Sequence, residues 1–299
     1  MRLIECKGLS KSYGSKQALR QVDLNLEAGE PIALVGPNGA GKTTLFSLLC
    51  GYITPTDGEV SILGHTPGDS ALLGRVSSLP QDATLDPNFD ILTQLVLFAT
   101  LQGFSKSDAK SEGLRVLSLV DLADCASQKP KSLSHGMAKR VAIAQSLIGS
   151  PELVLLDEPT AGLDPANAKK IRELVRTLSS KTTFIISSHN LDELEKLCGQ
   201  VLYLEQGQLT QSVSMNDNLQ NQYITLTMQQ CDADKVVDAV MALPDINSIE
   251  KKQHNEFLIK HNSEEDYAIE SALFALFKHN NWQYKAILKG RTLEDKLFS

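Results

Sequence analysis

Apolar positions along the chain follow two periods, and the elements change where the period changes. Around Leu3–Leu9 and Ala18–Leu26 apolar and polar residues alternate, as in strands with one buried face. Tyr13-Gly14-Ser15 separates these stretches, so the pattern predicts an antiparallel hairpin. Pro31-Ile32-Ala33-Leu34-Val35 is a short unbroken apolar run suited to a buried strand, and Leu45, Phe46, Leu48 and Leu49 then take helical spacing until Gly51. Glu59–Leu63 and Val76–Gln81 read as further strands. Ile91, Leu92, Leu95, Val96 and Ala99, then Leu114, Leu117, Val120 and Leu122, predict a helical insert over 91–126 between strands of an α/β core.

Ser134 is the expected N-cap of the next helix, which buries Met137, Val141, Ala144, Leu147 and Ile148 and stops at Gly149-Ser150-Pro151. Glu152–Leu156 is an apolar strand ending in Asp157-Glu158. Thr182–Ser187 is another, ending at His189; a short helix over Asp192–Leu197 follows, and Val201–Leu204 pairs with Gln208–Thr210. Residues 212–222 are dominated by Ser, Asn, Asp and Gln and mark a boundary between a domain over 1–212, with a helical subdomain over 82–150, and one over 223–299. The second domain reads strand (Tyr223–Met228), helix (Ala233–Leu243), strand (Ser248–Gln253), strand (Glu256–His261), helix (Glu264–His279), strand (Gln283–Leu288), a ferredoxin-like α+β order, with a closing helix over Thr292–Phe298 capped by Thr292.

Composition adds exclusions. With 42% hydrophobic and 22% charged residues the chain has the make-up of a globular protein, and its net charge of −7 argues against a nucleic-acid partner. No stretch approaches the roughly 20 apolar residues of a membrane span, and the first residues lack the apolar core of a signal peptide, so a cytosolic chain is expected. The 5 cysteines are scattered without C-x-x-C spacing, which suggests reduced structural thiols.

Chemistry enters at Gly36-Pro37-Asn38-Gly39-Ala40-Gly41-Lys42-Thr43-Thr44, a G-x-x-x-x-G-K-[ST] loop between a predicted strand and a predicted helix. Glycines let backbone N–H groups converge on phosphate oxygens, and the helix adds its positive dipole end. In this setting Lys42 reaches the β- and γ-phosphates and Thr43 offers its hydroxyl to Mg²⁺. A nucleoside triphosphate is the expected ligand. Asp157 and Glu158 end a strand where open parallel sheets bind ligands; Asp157 suits Mg²⁺ held through water, and Glu158 suits deprotonation of an attacking water. Tyr13, near a turn upstream of the loop, either stacks on a base or packs on its own hairpin.

These segments, with Gln81, Leu133-Ser134-His135-Gly136-Met137, Leu153–Pro159, Ala161-Gly162-Leu163-Asp164 and His189, stand in the order found in ATP-binding cassette (ABC) ATPases, and the chain strongly resembles the nucleotide-binding subunit of an ABC transporter over roughly 1–212. The resemblance implies a P-loop, RecA-like α/β core with an antiparallel β-subdomain and a helical subdomain, ATP and Mg²⁺ as ligands, and ATP hydrolysis. It implies that Tyr13 stacks on adenine, that Gln81 joins Mg²⁺ and the attacking water to the helical insert, that Glu158 is the general base and that His189 contacts the γ-phosphate. It further implies that Ser134 and Gly136 close on ATP held by a partner subunit, and that Asp164 crosses to that subunit. The partner is a second copy or a paralogous ATPase, docked with an integral-membrane permease at the cytoplasmic face of the membrane.

The usual signature is Leu-Ser-Gly-Gly-Gln, whereas here His135 replaces the first glycine and Met137 the glutamine. His135 either adds positive charge near the triphosphate or points aside, and Met137 is expected to pack into its helix's buried face. This signature, and the tail Thr292-Leu293-Glu294-Asp295 with Leu297-Phe298, resemble exporters whose ATPase and permease are separate chains. An importer ATPase with a C-terminal regulatory domain, and a soluble ABC ATPase acting on ribosomes or DNA, are the competing readings.

Overall fold

The computed structural model describes residues 2–188, 190–214, 222–252, 255–263, 265, 267–292, 295 and 297. The chain divides into two compact units, Met1–Met215 and Asn216–Ser299.

The first unit begins with the hairpin of β1 (Arg2–Tyr13) and β2 (Lys16–Glu27). A third strand, β4 (Asp57–Ile62), pairs antiparallel with the other edge of β1. Alternation puts Leu3, Leu9, Leu19, Val22 and Leu26 on the covered face, all at or near zero exposure. The second sheet has six strands in the order β5 (Val76–Leu79), β6 (Leu153–Asp157), β7 (Thr183–Ser187), β3 (Ile32–Val35), β8 (Gln200–Glu205), β9 (Gln208–Ser214). The first five run parallel and β9 antiparallel. Every residue of β3, β6 and β7 is buried, as strands covered on both faces require, which is why they read as unbroken apolar runs.

Helix α1 (Lys42–Leu49) follows β3 directly. The insert between β5 and β6 contains α2 (Ile91–Leu101), α3 (Lys106–Leu119) and α4 (His135–Ser146), each started by a side chain that accepts an orphan amide: Asp90, Ser105 and Ser134. Met137 is half-buried in α4. From sequence, residues 165–178 carried no assigned element, yet they form α5 (Pro165–Leu178). Its apolar residues Ala168, Ile171, Leu174, Val175 and Leu178 keep helical spacing among charged ones, a periodicity that the sequence reading passed over. Asp164 at the N-cap and Pro165 at the first helical position were further signals. A short α6 (Leu191–Glu195) precedes β8.

The second unit runs β10 (Tyr223–Met228), α7 (Ala233–Met241), β11 (Ile246–Lys251), β12 (Glu256–His261), α8 (Ala268–Asn280), β13 (Tyr284–Lys289). Its sheet has the order β11-β12-β10-β13, antiparallel throughout. Leu226, Met228, Val236, Val240, Phe257, Ile259, Leu273 and Phe277 form a core of its own. Thr292 Oγ1 accepts from the Asp295 amide at 3.2 Å, as a capping residue does, while 293, 294, 296 and 298 of the expected closing helix lie outside the described residues. Among the described residues no helix is long and apolar enough to cross a membrane.

A carboxylate ties the helical insert to the core sheet. Glu112 on α3 accepts from Arg115 at 2.6 and 2.7 Å and from the Gly149 amide, just before β6, at 2.8 Å. The Arg115 hydrogen bonds, ahead of the opposing effect of burial, hold the Glu112 pKa below its ordinary 4.5. Because the folded-state pKa is depressed, this stabilisation is present above the unfolded value and is lost as pH falls through the folded one. Glu112→Ala should therefore destabilise the fold by about 1–3 kcal/mol at neutral pH, read from the urea midpoint. The gap to the parent should close at acid pH, and a gap independent of pH would refute the role given to this carboxylate.

Candidate functional site

The loop between β3 and α1 is shaped by two close approaches. A Cβ on Gly36 would collide with the Leu204 carbonyl oxygen, and one on Gly41 (φ 111°) would lie 2.6 Å from the Ala18 carbonyl oxygen. Both positions need glycine. No side chain caps the N-terminus of α1, so its first amides are presented to the loop's concavity. Lys42 Nζ donates to the carbonyls of Gly36 (2.6 Å) and Pro37 (3.2 Å), laying the side chain along the loop. Burial lowers the Lys42 pKa, and the carboxylates of Glu158 and Asp157 work against that shift.

Those carboxylates arrive by sheet order. Strand β7 lies between β6 and β3, so the loop and the end of β6 flank a single strand end. Asp157 stands in register with Ser187, whose hydroxyl bonds Asp157 Oδ1 at 2.5 Å. Thr43 Oγ1 donates to Asp157 Oδ2 at 3.3 Å, joining the two chemical segments across β7. The chain then turns sharply. Glu158 has φ 51°, in the left-handed region, and its amide donates to the Ser187 hydroxyl at 2.9 Å. Asp157 and Glu158 are each only 5% exposed, so a carboxylate pair is held at a strand end with little water.

One cleft joins these parts: Tyr13, Lys16 and Ala18 at one end, Asn38, Gly39 and Gly41 to Thr44 of the loop in the middle, Gln81, Asp157 and Glu158 at the other. Tyr13 is half-exposed at the cleft, with the Lys11 ammonium over its ring at 5.4 Å from the centre. The Gln81 carbonyl accepts from Lys139 Nζ at 3.4 Å. Burial pulls the Lys139 pKa down while Asp157, Asp82 and Glu158 oppose it. Hydroxyl, carboxylate and amide oxygens are the donors a magnesium ion takes, and the glycine cradle is the shape a phosphate takes; the residues present fit both.

The Ser134 segment lies outside that cleft. Ser134 and His135 are exposed, and Ser134 Oγ accepts from the Met137 amide at 3.2 Å. Gly136 is buried against Asn167: a Cβ there would lie 2.7 Å from the Asn167 side chain. Asn167 in turn donates to Asp164 Oδ2 at 2.6 Å, and Asp164 Oδ1 caps α5. The hydrogen bonds from Asn167 hold the Asp164 carboxyl below its usual pKa. His135 is directed to the same loop, its Nε2 3.5 Å from where a Gly162 Cβ would stand. His189 lies outside the described residues.

Residues 19–161 match the ABC transporter family. The chain is 34% identical over 257 residues to the ABC transporter ATP-binding protein YcbN of Bacillus subtilis, covering 84% of this chain and 83% of that one.

The chain belongs to the ABC transporter ATP-binding proteins.

It is also 31% identical over 210 residues to the linearmycin resistance ATP-binding protein LnrL of Bacillus subtilis, covering 69% of this chain and 68% of that one. To the Nod factor export ATP-binding protein I of Cupriavidus pinatubonensis it is 33% identical over 208 residues, 69% of this chain and 64% of that one. Among solved structures, the dimeric post-hydrolysis ATP-binding cassette MJ0796 bound to ADP and Pi superposes with a TM-score of 0.66 at 26% identity, covering 72% of this chain and all of that one. As an ABC ATPase this chain binds ATP with Mg²⁺ and hydrolyses it.

Sequence reasoning missed three residues that the structure places against the expected site residues. Ser187, a short polar residue ending an apolar strand, was the one with a visible signal. Asn167 and Lys139 had none, because their roles follow from which loops the fold brings beside them. Ser187→Ala should leave Asp157 and the Glu158 amide without a shared partner. ATP turnover is expected to fall at least about tenfold with a fold loss no larger than about 1–3 kcal/mol. Turnover within twofold of the parent would show that Ser187 does not position the acids. Gly36→Ala should displace the loop and raise the ATP dissociation constant at least about tenfold, measured by calorimetry; unchanged affinity would refute the close approach to Leu204.

Proposed function

We propose that this chain powers export through a separate membrane permease, with two copies closing head to tail over two ATP molecules. The observation that carries the reading is the separation of the two halves of the site. Phosphate loop and acid pair share one cleft, while Ser134 and Gly136 sit outside it, on the segment that the family uses against a partner's nucleotide. Each ATP then needs both chains. Export, as the direction, is supported by the Nod factor export relatives.

In this reading Gly36, Pro37, Asn38, Gly39, Ala40, Gly41 and Thr44 shape or line the phosphate cradle, Lys42 leaves its loop carbonyls for the terminal phosphates, and Tyr13 stacks on adenine. Mg²⁺, when bound, would withdraw charge from the phosphate oxygens, and Thr43, Gln81 and Asp157 are the residues that would hold it. Glu158 accepts a proton from water as the water oxygen bonds to the γ-phosphorus. The bond from that phosphorus to the β–γ bridging oxygen breaks, and ADP and inorganic phosphate leave. His189 contacts the γ-phosphate, and Asp164 sits at the partner boundary while its carboxylate caps α5.

The permease contact is assigned to the insert that follows Gln81. Phe89, Leu97 and Leu101 there are 52%, 56% and 65% exposed, large apolar side chains that a monomer gains nothing by displaying. The subunit would then act as a peripheral protein at the cytoplasmic face of the membrane.

Glu158→Gln keeps shape and hydrogen bonding but cannot take the proton, so hydrolysis should drop at least about a thousandfold with ATP affinity retained. In size measurements this variant should dimerise with ATP and disperse with ADP, and Ser134→Arg should abolish the dimer. Normal turnover in Glu158→Gln would remove the base assignment, and a monomer at high concentration with ATP would remove the homodimer. Leu97→Asp with Leu101→Asp should reduce recovery of the co-expressed permease while hydrolysis by the isolated subunit stays within about twofold. Undiminished recovery would displace the docking site from α2.

A further inference from the structure

Helix α4 carries two features on successive turns. Its N-terminal Ser134 and Gly136 are the residues assigned above to the partner's ATP. One turn on, the Lys139 ammonium reaches the carbonyl of Gln81, in this chain's own cleft. Around that ammonium lie the acidic charges of Asp157, Asp82 and Glu158. Lys139 is half-buried, so water screens it incompletely. The same small region is where Thr43 Oγ1 and Asp157 Oδ2 stand 3.3 Å apart and the cleft ends on Gln81.

We propose that Lys139 is a positioning residue that couples magnesium occupancy of a subunit's own ATP site to the helix it offers to its partner. The proposal rests on assigning Gln81, Asp157 and Thr43 to the magnesium end of the site. Without nucleotide, the ammonium supplies the positive charge beside the acids and holds α4 to the Gln81 segment. ATP alone would bring only negative charge to this end of the cleft, and a divalent cation bound with it would add positive charge in the same field. The two cations repel, the Lys139–Gln81 bond weakens, and the first turns of α4 are released from their own site before they meet the partner's nucleotide. Charge at position 139 therefore opposes magnesium, and the cost of that opposition is what moves the helix.

Calorimetry of the full chain tests the charge, using ATP in excess Mg²⁺ and ATP in EDTA. Lys139→Met keeps length and removes charge. The tightening that Mg²⁺ produces, measured against the same variant's own affinity in EDTA, should increase about three- to tenfold, the effect of deleting one unit charge several ångströms from a divalent ion in partly screened surroundings. Lys139→Arg should restore the parent value, which a purely packing role would not require. Lys139→Gln, able to hydrogen-bond but uncharged, should match Lys139→Met and serves if the methionine variant fails to fold. An unchanged magnesium effect in either uncharged variant overturns the proposal. Asp157→Asn separates this failure from failure of the site assignment: if it leaves the magnesium effect intact, the assignment itself is wrong.

Hydrogen exchange reads the helix. In a Ser134→Arg background, where closure on a partner is blocked, ATP with Mg²⁺ should speed amide exchange over residues 137–141 at least about twofold relative to ATP in EDTA. Adding Lys139→Met should erase that difference. Exchange that responds equally with and without the lysine would show that the ammonium does not transmit magnesium binding to α4.

Discussion

The hydroxyl of Ser187, at the end of a strand with no exposed residue, holds the active end of the cleft together. It bonds one oxygen of Asp157 and takes the amide of Glu158, while the other Asp157 oxygen takes Thr43. Three parallel strands must end at one level for this to happen, with β7 between the two that carry chemistry. Moving β6 or β7 by one residue would turn Asp157 or Ser187 to the opposite face of the sheet. The buried apolar faces of β3, β6 and β7 prevent such a slip, so ordinary core packing sets the distance between a phosphate cradle and a carboxylate.

Burying two carboxylates side by side is unfavourable, and the surroundings show what offsets it. Hydroxyl and amide donors supply part of the compensation, and the ammonium groups of Lys42 and Lys139 supply charge. Both lysines are held by backbone carbonyls, at Gly36 and Pro37 for one and Gln81 for the other. The resting site is thus balanced by cations on long side chains, which can give way when nucleotide and metal bring their own charges. Rigid acids and movable cations suit a cycle in which the ligand is repeatedly bound, cleaved and released.

Much of this was legible in the order of residues. The phosphate loop, the acid pair and the signature serine announce themselves because each depends on residue types at short, fixed spacing. The hairpin, the buried strands and the helical insert follow from apolar period. Contacts made by distant segments were not legible. Ser187 looks like any polar residue closing a strand, and Lys139 like any lysine on a helix, until the sheet order and the insert's docking place them beside Asp157 and Gln81. Helix α5 is a different case, since its apolar spacing from Ala168 through Ile171, Leu174 and Val175 to Leu178 was legible and was passed over. The orientation of His135 also needed the fold, because it depends on where the Gly162 loop passes.

The packing of Gly136 on Asn167 constrains how this protein can change by mutation. A larger residue at 136 finds its space filled by the Asn167 amide, and the amide is not free to withdraw because it is bonded to Asp164. Shrinking residue 167 first would make room, but it would strip a hydrogen bond from the carboxylate that starts α5. Neither single step is neutral, so the two positions form an epistatic pair: a change at one becomes tolerable only after the other has changed. By contrast, His135 is exposed beside Gly162, and a neighbouring site with such freedom can drift. Variation within this signature should therefore concentrate at its exposed third position, His135, while its fourth, Gly136, stays packed on a residue of another helix.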